Sequence, residues 1–160
     1  MPRHAAPVTW AIALLALLSL GAVLSRLADP PDRGESGPAV SYAKEAGELL
    51  PGTWLREYTE EGVEVRRVLV LDAKGDFREV SRVVEPGGKS EEFVNEGTWV
   101  FDGTNLKRKY VSINGQAPSR LNMPFVTFEI AFQSRNEFAG VDHIHGHNIV
   151  YQRVAPETEP

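Results

Sequence analysis

Between Gly52 and Val154 seven turn signals recur at short intervals: Glu61-Gly62, Ala73-Lys74-Gly75, Pro86-Gly87-Gly88, Asp102-Gly103, Asn114-Gly115, Ser134-Arg135-Asn136 and His145-Gly146. The runs between them are rich in Val, Phe, Tyr, Trp and Thr, which is the punctuation of strands and hairpins. Seven turns imply eight strands, at about Thr53–Thr59, Val63–Leu71, Phe77–Val84, Glu92–Phe101, Leu106–Ile113, Phe125–Phe132, Glu137–Val141 and Asn148–Val154. An even number of strands in a meander leaves the first and last antiparallel, so they can pair and remove both exposed edges. A two-sheet sandwich would need long crossovers, and only Gly115–Pro124 is long enough to be one. The expected fold is therefore all-β, an eight-stranded antiparallel up-and-down barrel whose interior is filled by side chains or holds one small ligand.

Alternation assigns the faces. In the fourth strand Phe93, Asn95, Gly97, Trp99 and Phe101 share one side, and in the sixth Val126, Phe128, Ile130 and Phe132 do; these sides are expected to point inward. Placing Lys107 and Lys109 outside turns Leu106, Arg108, Tyr110 and Ser112 inward, and either register of Phe77–Val84 brings some charge inside. Two explanations stand side by side: a partly polar interior, or a bulge that shifts the register.

The barrel segment, residues 52–154, is preceded by three others. In residues 1–25, the 21 residues from Ala5 to Ser25 carry no formal charge and follow Arg3, the pattern of an export signal or signal anchor. No clean small-x-small cleavage site ends the run, which favours a retained anchor over a cleaved peptide. The expected location is the cell envelope, on the periplasmic side of the inner membrane if anchored, or free in the periplasm if cleaved. Residues 26–37 (RLADPPDRGESG) are too polar and too rich in Pro and Gly to order themselves and read as a flexible linker. Residues 38–51 place Val40, Ala43, Ala46 and Leu49 three apart and end in Pro51, as expected of a short amphipathic helix capping the barrel. Residues 155–160 are expected to be a disordered tail.

Composition excludes several chemistries. With no cysteine there is no thiol catalysis, thiolate zinc site, iron–sulfur cluster, disulfide or lipid-modified cysteine. A net charge of -5 argues against nucleic acid as a partner, because such affinity rests on a surplus of Lys and Arg on one face. No G-x-S-x-G elbow, Walker-type loop or H-E-x-x-H motif occurs. Glu60-Glu61 and Glu91-Glu92 are adjacent carboxylates, and neighbours on a strand face opposite ways. The chain does not read as an enzyme, and no cofactor is expected.

Gly52-Thr53-Trp54 opens the first strand directly after the short helix, and the last strand ends Tyr151-Gln152-Arg153. In these residues the chain resembles the small bacterial lipocalin-like proteins of the calycin superfamily, over 103 of 160 residues. The resemblance implies that Arg153 packs across Trp54 and closes the barrel floor, both in structural roles. A guanidinium laid on an indole gains cation–π attraction, and its donors can satisfy carbonyls of the preceding helix. Gly97-Thr98-Trp99 is a second copy of the motif. Classical lipocalins are longer, often carry disulfides and end in a helix against the barrel. The resemblance further implies a small hydrophobic or amphipathic ligand inside the barrel, with Trp99, Phe128, Ile130, Tyr110 and Arg108 as contacts and Arg108 as the partner of an acidic head group. Gly115–Pro124, with Arg120 and Met123, is placed to cover one barrel mouth.

Two other readings remain open. A barrel packed solid would instead offer its loops and outer face to an envelope protein. A metal protein would use His143, His145 and His147, which in an extended strand project to one face. Against the metal, Gly146 is suited to a turn that breaks this alternation.

Overall fold

The computed structural model describes residues 39–119, 125–142 and 146–160. The apolar segment, the linker, Arg120, Met123, His143 and His145 lie outside the described residues. A short helix, α1 (Ala39–Leu49), precedes eight strands: β1 (Gly52–Glu60), β2 (Val63–Leu71), β3 (Asp76–Val84), β4 (Ser90–Phe101), β5 (Asn105–Ile113), β6 (Phe125–Ser134), β7 (Glu137–Asp142) and β8 (His147–Val154). Each strand pairs antiparallel with the next, and β8 returns to β1 to close the barrel. That closure is short: Thr53, Trp54 and Leu55 pair with Val154, Arg153 and Gln152. Among the described residues no helix is long and apolar enough to cross a membrane.

The hairpins follow from local chemistry. Glu61 and Gly62 have φ of 50° and 82°, the two positive values that a two-residue type I′ turn requires between right-twisted strands. Asn114 and Gly115 repeat this with φ of 50° and 76°, and the turn is closed by an Ile113–Gln116 bridge.

The lower end of the barrel, where β1 begins, is closed and apolar. Trp54, Leu50 and Phe138 are fully buried there, with the Trp54 and Phe138 rings edge to face at 4.7 Å. Helix α1 contributes Ala46 and, just past its end, Leu50 to this core. The Phe132 N–H donates to the Tyr42 hydroxyl at 3.0 Å and ties the helix to β6. Arg153 finishes the floor: its guanidinium lies 4.2 Å from the Trp54 ring, and it donates to the carbonyls of Pro51 at 3.0 Å and of Leu49. The Trp54 indole N–H donates to the Leu50 carbonyl at 2.8 Å. A side chain at position 52 would collide with this arrangement, because its Cβ would stand 2.3 Å from Arg153 Nη1.

Outside the barrel, residues 155–160, expected as a disordered tail, lie along the outer face of β2 and β3. Arg66 Nε donates to the Glu159 carbonyl at 3.0 Å, and Val68 and Val80, paired across the two strands, are buried beside the tail.

A register shift corrects one expectation. Gly97 pairs with Tyr110 but Glu96 pairs with Ser112, so Val111 is the extra residue of a bulge. Beyond it Ile113, opposite Asn95, takes the inward parity expected for Ser112. The bulge brings backbone so close that a Cβ on Gly97 would stand 1.9 Å from the Lys109 carbonyl oxygen.

Candidate functional site

Strand parity builds the site. Because residues directly opposite in an antiparallel ladder share a face, the register aligns Arg56, Arg67, Ser81 and Phe93 around one level of the inner wall. Trp54, Leu69, Glu79, Asn95 and Ile113 form the level beside it. The polar interior and the bulge, alternatives in the sequence, are both present.

At the centre of the polar region Glu79 is 2% exposed and Arg108 1%. Arg108 Nη1 donates to Glu79 Oε2 at 2.6 Å, and Asn95 Nδ2 donates to Oε1 at 3.3 Å. Arg67 lies on the other side, its Nε 3.9 Å from Glu79 Oε2 and donating to Ser81 Oγ at 3.0 Å. Burial alone would raise the Glu79 carboxyl, but Arg108, then Arg67, then hydrogen bonds from Arg108 and Asn95 hold it down at about 2. Burial, the largest single influence, likewise opposes charge on Arg67 and Arg108, yet the Glu79 carboxylate together with the tyrosines around them more than offsets it and keeps both cationic. Burial, first among several influences, pushes the Tyr110 hydroxyl up to about 12, so it stays a neutral donor.

Around Arg108 stand the rings of Phe77 and Phe128, each 5.3 Å from the guanidinium carbon, and Tyr110 at 5.6 Å. Its Nε is buried without a hydrogen-bond partner among the described residues. Arg67 is less enclosed, with 22% of its side chain exposed, and its two terminal nitrogens have no protein partner among the described residues. Arg56 stands directly opposite Arg67 on β1, with its guanidinium 4.3 Å from the Tyr58 ring. Three arginines therefore share the inner wall with one deeply buried carboxylate, Glu79.

The residues singled out in sequence are distributed as follows. Trp99, Phe128 and Ile130 belong to the packed apolar core, and the Trp99 indole N–H is taken by the Asp72 carbonyl at 2.9 Å. Tyr110 packs against that core, edge to face with Phe77 at 5.3 Å. Arg108 is inward and already neutralised by Glu79. His147 opens β8 opposite Asp142, after Gly146 in a turn with φ of 71°. Among the described residues no three metal-ligating side chains gather. Sequence reasoning missed Arg56, Arg67, Glu79 and Asn95 as a group. The available signal was Val63-x-Val65-x-Arg67-x-Leu69-x-Leu71, an alternation that carries one charge on its apolar face.

Two surface concavities formed by described residues lie outside the barrel. One, of about 730 Å³, is an open groove between α1 and the β2–β3 and β4–β5 turns. The other, of about 240 Å³, lies between the C-terminal residues and the valines of β2 and β3.

The chain matches no protein-family model and no curated protein significantly.

Proposed function

We propose that this is an exported, membrane-tethered, lipocalin-like domain of calycin type that binds a small amphipathic ligand within its barrel and catalyses no reaction. The observation that carries the reading is the division of the inner wall into an apolar floor and a polar, cationic level above it. Buried charge is a poor device for a barrel serving only as a scaffold, because apolar side chains of similar volume are often as stabilising or more so. The uncharged run from Ala5 to Ser25 supports tethering to the periplasmic side of the inner membrane. Trp99, Phe128 and Ile130 then act as the packed base on which a ligand rests.

Native mass spectrometry of the full chain, isolated from its own envelope in lipid nanodiscs, tests this reading. A stoichiometric organic adduct on the protein is expected. A bare protein mass that persists after incubation with acyl and aromatic amphiphiles refutes it.

One observation favours a second reading, a protein-interaction module. Val111 and Phe125, on the outer face of β5 and β6, are 52% and 54% exposed, and Val100 on β4 is 61% exposed. In that case charging Val111 and Phe125 abolishes capture of an envelope partner while leaving the barrel interior unaffected.

A further inference from the structure

We infer that the ligand is an organic anion whose carboxylate or phosphate head is held inside the barrel between Arg56 and Arg67. This rests on the ligand-binding reading and adds to it the chemical class and the orientation of the molecule bound.

The argument begins with charge. Arg56 and Arg67 are directly opposite on neighbouring strands of the inner wall. Like charges so placed repel unless an anion lies between or beside them. Glu79 is the carboxylate nearest to Arg67, and it already holds Arg108 at 2.6 Å while standing 3.9 Å from the Arg67 Nε. One carboxylate is thus shared by two guanidinium groups, and among the described residues the group beside the Arg56 guanidinium is the Tyr58 ring. Among the described side chains the other inward carboxylates, Glu60 and Glu91, stand at the mouth ends of their strands, and Glu91 pairs with Lys89. Glu60 is four residues from Arg56, about 13 Å along the strand. A monoanion beside Arg67 would compensate the charge that Glu79 leaves over.

Donor geometry agrees. Arg67 spends its Nε on Ser81 and Glu79, and its two terminal nitrogens have no partner among the described residues. These are the groups that grip a carboxylate or phosphate in a forked, bidentate contact. Arg108 supplies a second sign, a buried Nε that, alone of the buried side-chain polar atoms of the described residues, has no hydrogen-bond partner among them.

Packing then sets the orientation. Below the arginines the barrel is filled by Trp54, Leu69, Phe138 and Tyr151, all 2% exposed or less. The ligand's apolar body therefore extends the other way, past Val65, Val83 and Tyr58 toward the mouth. Closure also favours access at this point, since the β1–β8 ladder ends at Leu55 and Gln152, one residue before Arg56.

The test uses the full chain in phosphatidylcholine nanodiscs, titrated calorimetrically with octanoate, octyl phosphate, octanol and octylamine, with empty discs subtracted. Octanoate and octyl phosphate should bind about tenfold or more tightly than octanol, and octylamine more weakly than either. In Arg67→Gln and in Arg56→Gln the advantage of the anions should fall to about twofold or less while octanol binding holds, and Arg67→Lys should retain part of it. Circular dichroism checks that each variant folds, and the wild-type panel decides the class of ligand even if one variant does not. Equal binding of octanol and octanoate overturns the anion site and leaves the ligand-binding reading standing. Binding of none of the four overturns both.

Discussion

Replacing Glu79 with glutamine removes one charge from the barrel and almost no volume. The side-chain amide can still meet Asn95, but Arg108, 1% exposed, loses the carboxylate that faces it at 2.6 Å. Removing one partner of a buried ion pair costs about 3–5 kcal/mol, because the charge left behind has neither water nor a counter-ion. A second route gives a similar figure: depressing the Glu79 carboxyl from its ordinary 4.5 to about 2 corresponds to ~3 kcal/mol of folded-state stabilisation. The sign follows from the direction of the shift. The folded-state value lies below the unfolded one, so this stability is fully present above about pH 4.5 and is lost as pH falls through about 2. Urea unfolding followed by tryptophan fluorescence should place Glu79→Gln about 3 kcal/mol below wild type at pH 7. The gap should narrow steadily as the buffer is taken from pH 5 toward pH 2. A variant within about 1 kcal/mol of wild type at pH 7, or a gap that ignores pH, would show that Glu79 and Arg108 are not the coupled pair described here.

Three other substitutions test the frame around the site. Gly97→Ala places a Cβ 1.9 Å from the Lys109 carbonyl oxygen and should cost about 3 kcal/mol or lower the yield of folded protein, read by thermal melting. Arg153→Lys keeps the charge but loses the planar stack on Trp54 and at least one carbonyl contact at the floor, so a loss of about 1–2 kcal/mol is expected in urea unfolding. Trp54→Phe should cost at least about 1 kcal/mol, since the Leu50 carbonyl loses its donor and the core its largest ring; an unchanged melting temperature would refute that assignment.

Strand number and order were legible because both depend on local chemistry. Turns such as Glu61-Gly62 declare themselves through residues that tolerate positive φ, and each strand carries its own period-two pattern. Inward parity was equally readable in β4 and β6, where Phe93, Trp99, Phe128 and Ile130 stand where alternation puts them. In β5 the reading failed after Tyr110. The bulge there goes with the close approach of Gly97 to the Lys109 backbone, a contact between strands that neither segment announces alone. The candidate site lies further out of reach. Arg56 could be seen facing the same way as Trp54, Arg67 as Leu69, and Glu79 as Phe77, each as an isolated charge on an inward face. The meeting of Arg67 and Glu79 with Arg108, 29 residues from Glu79 along the chain, depends on the stagger of β2, β3, β4 and β5 in the curved wall. Local sequence thus determined which residues face inward, because side-chain direction is a property of one strand. Only closure of the barrel decided which charges neutralise one another and which stand open, because that depends on distances across the interior.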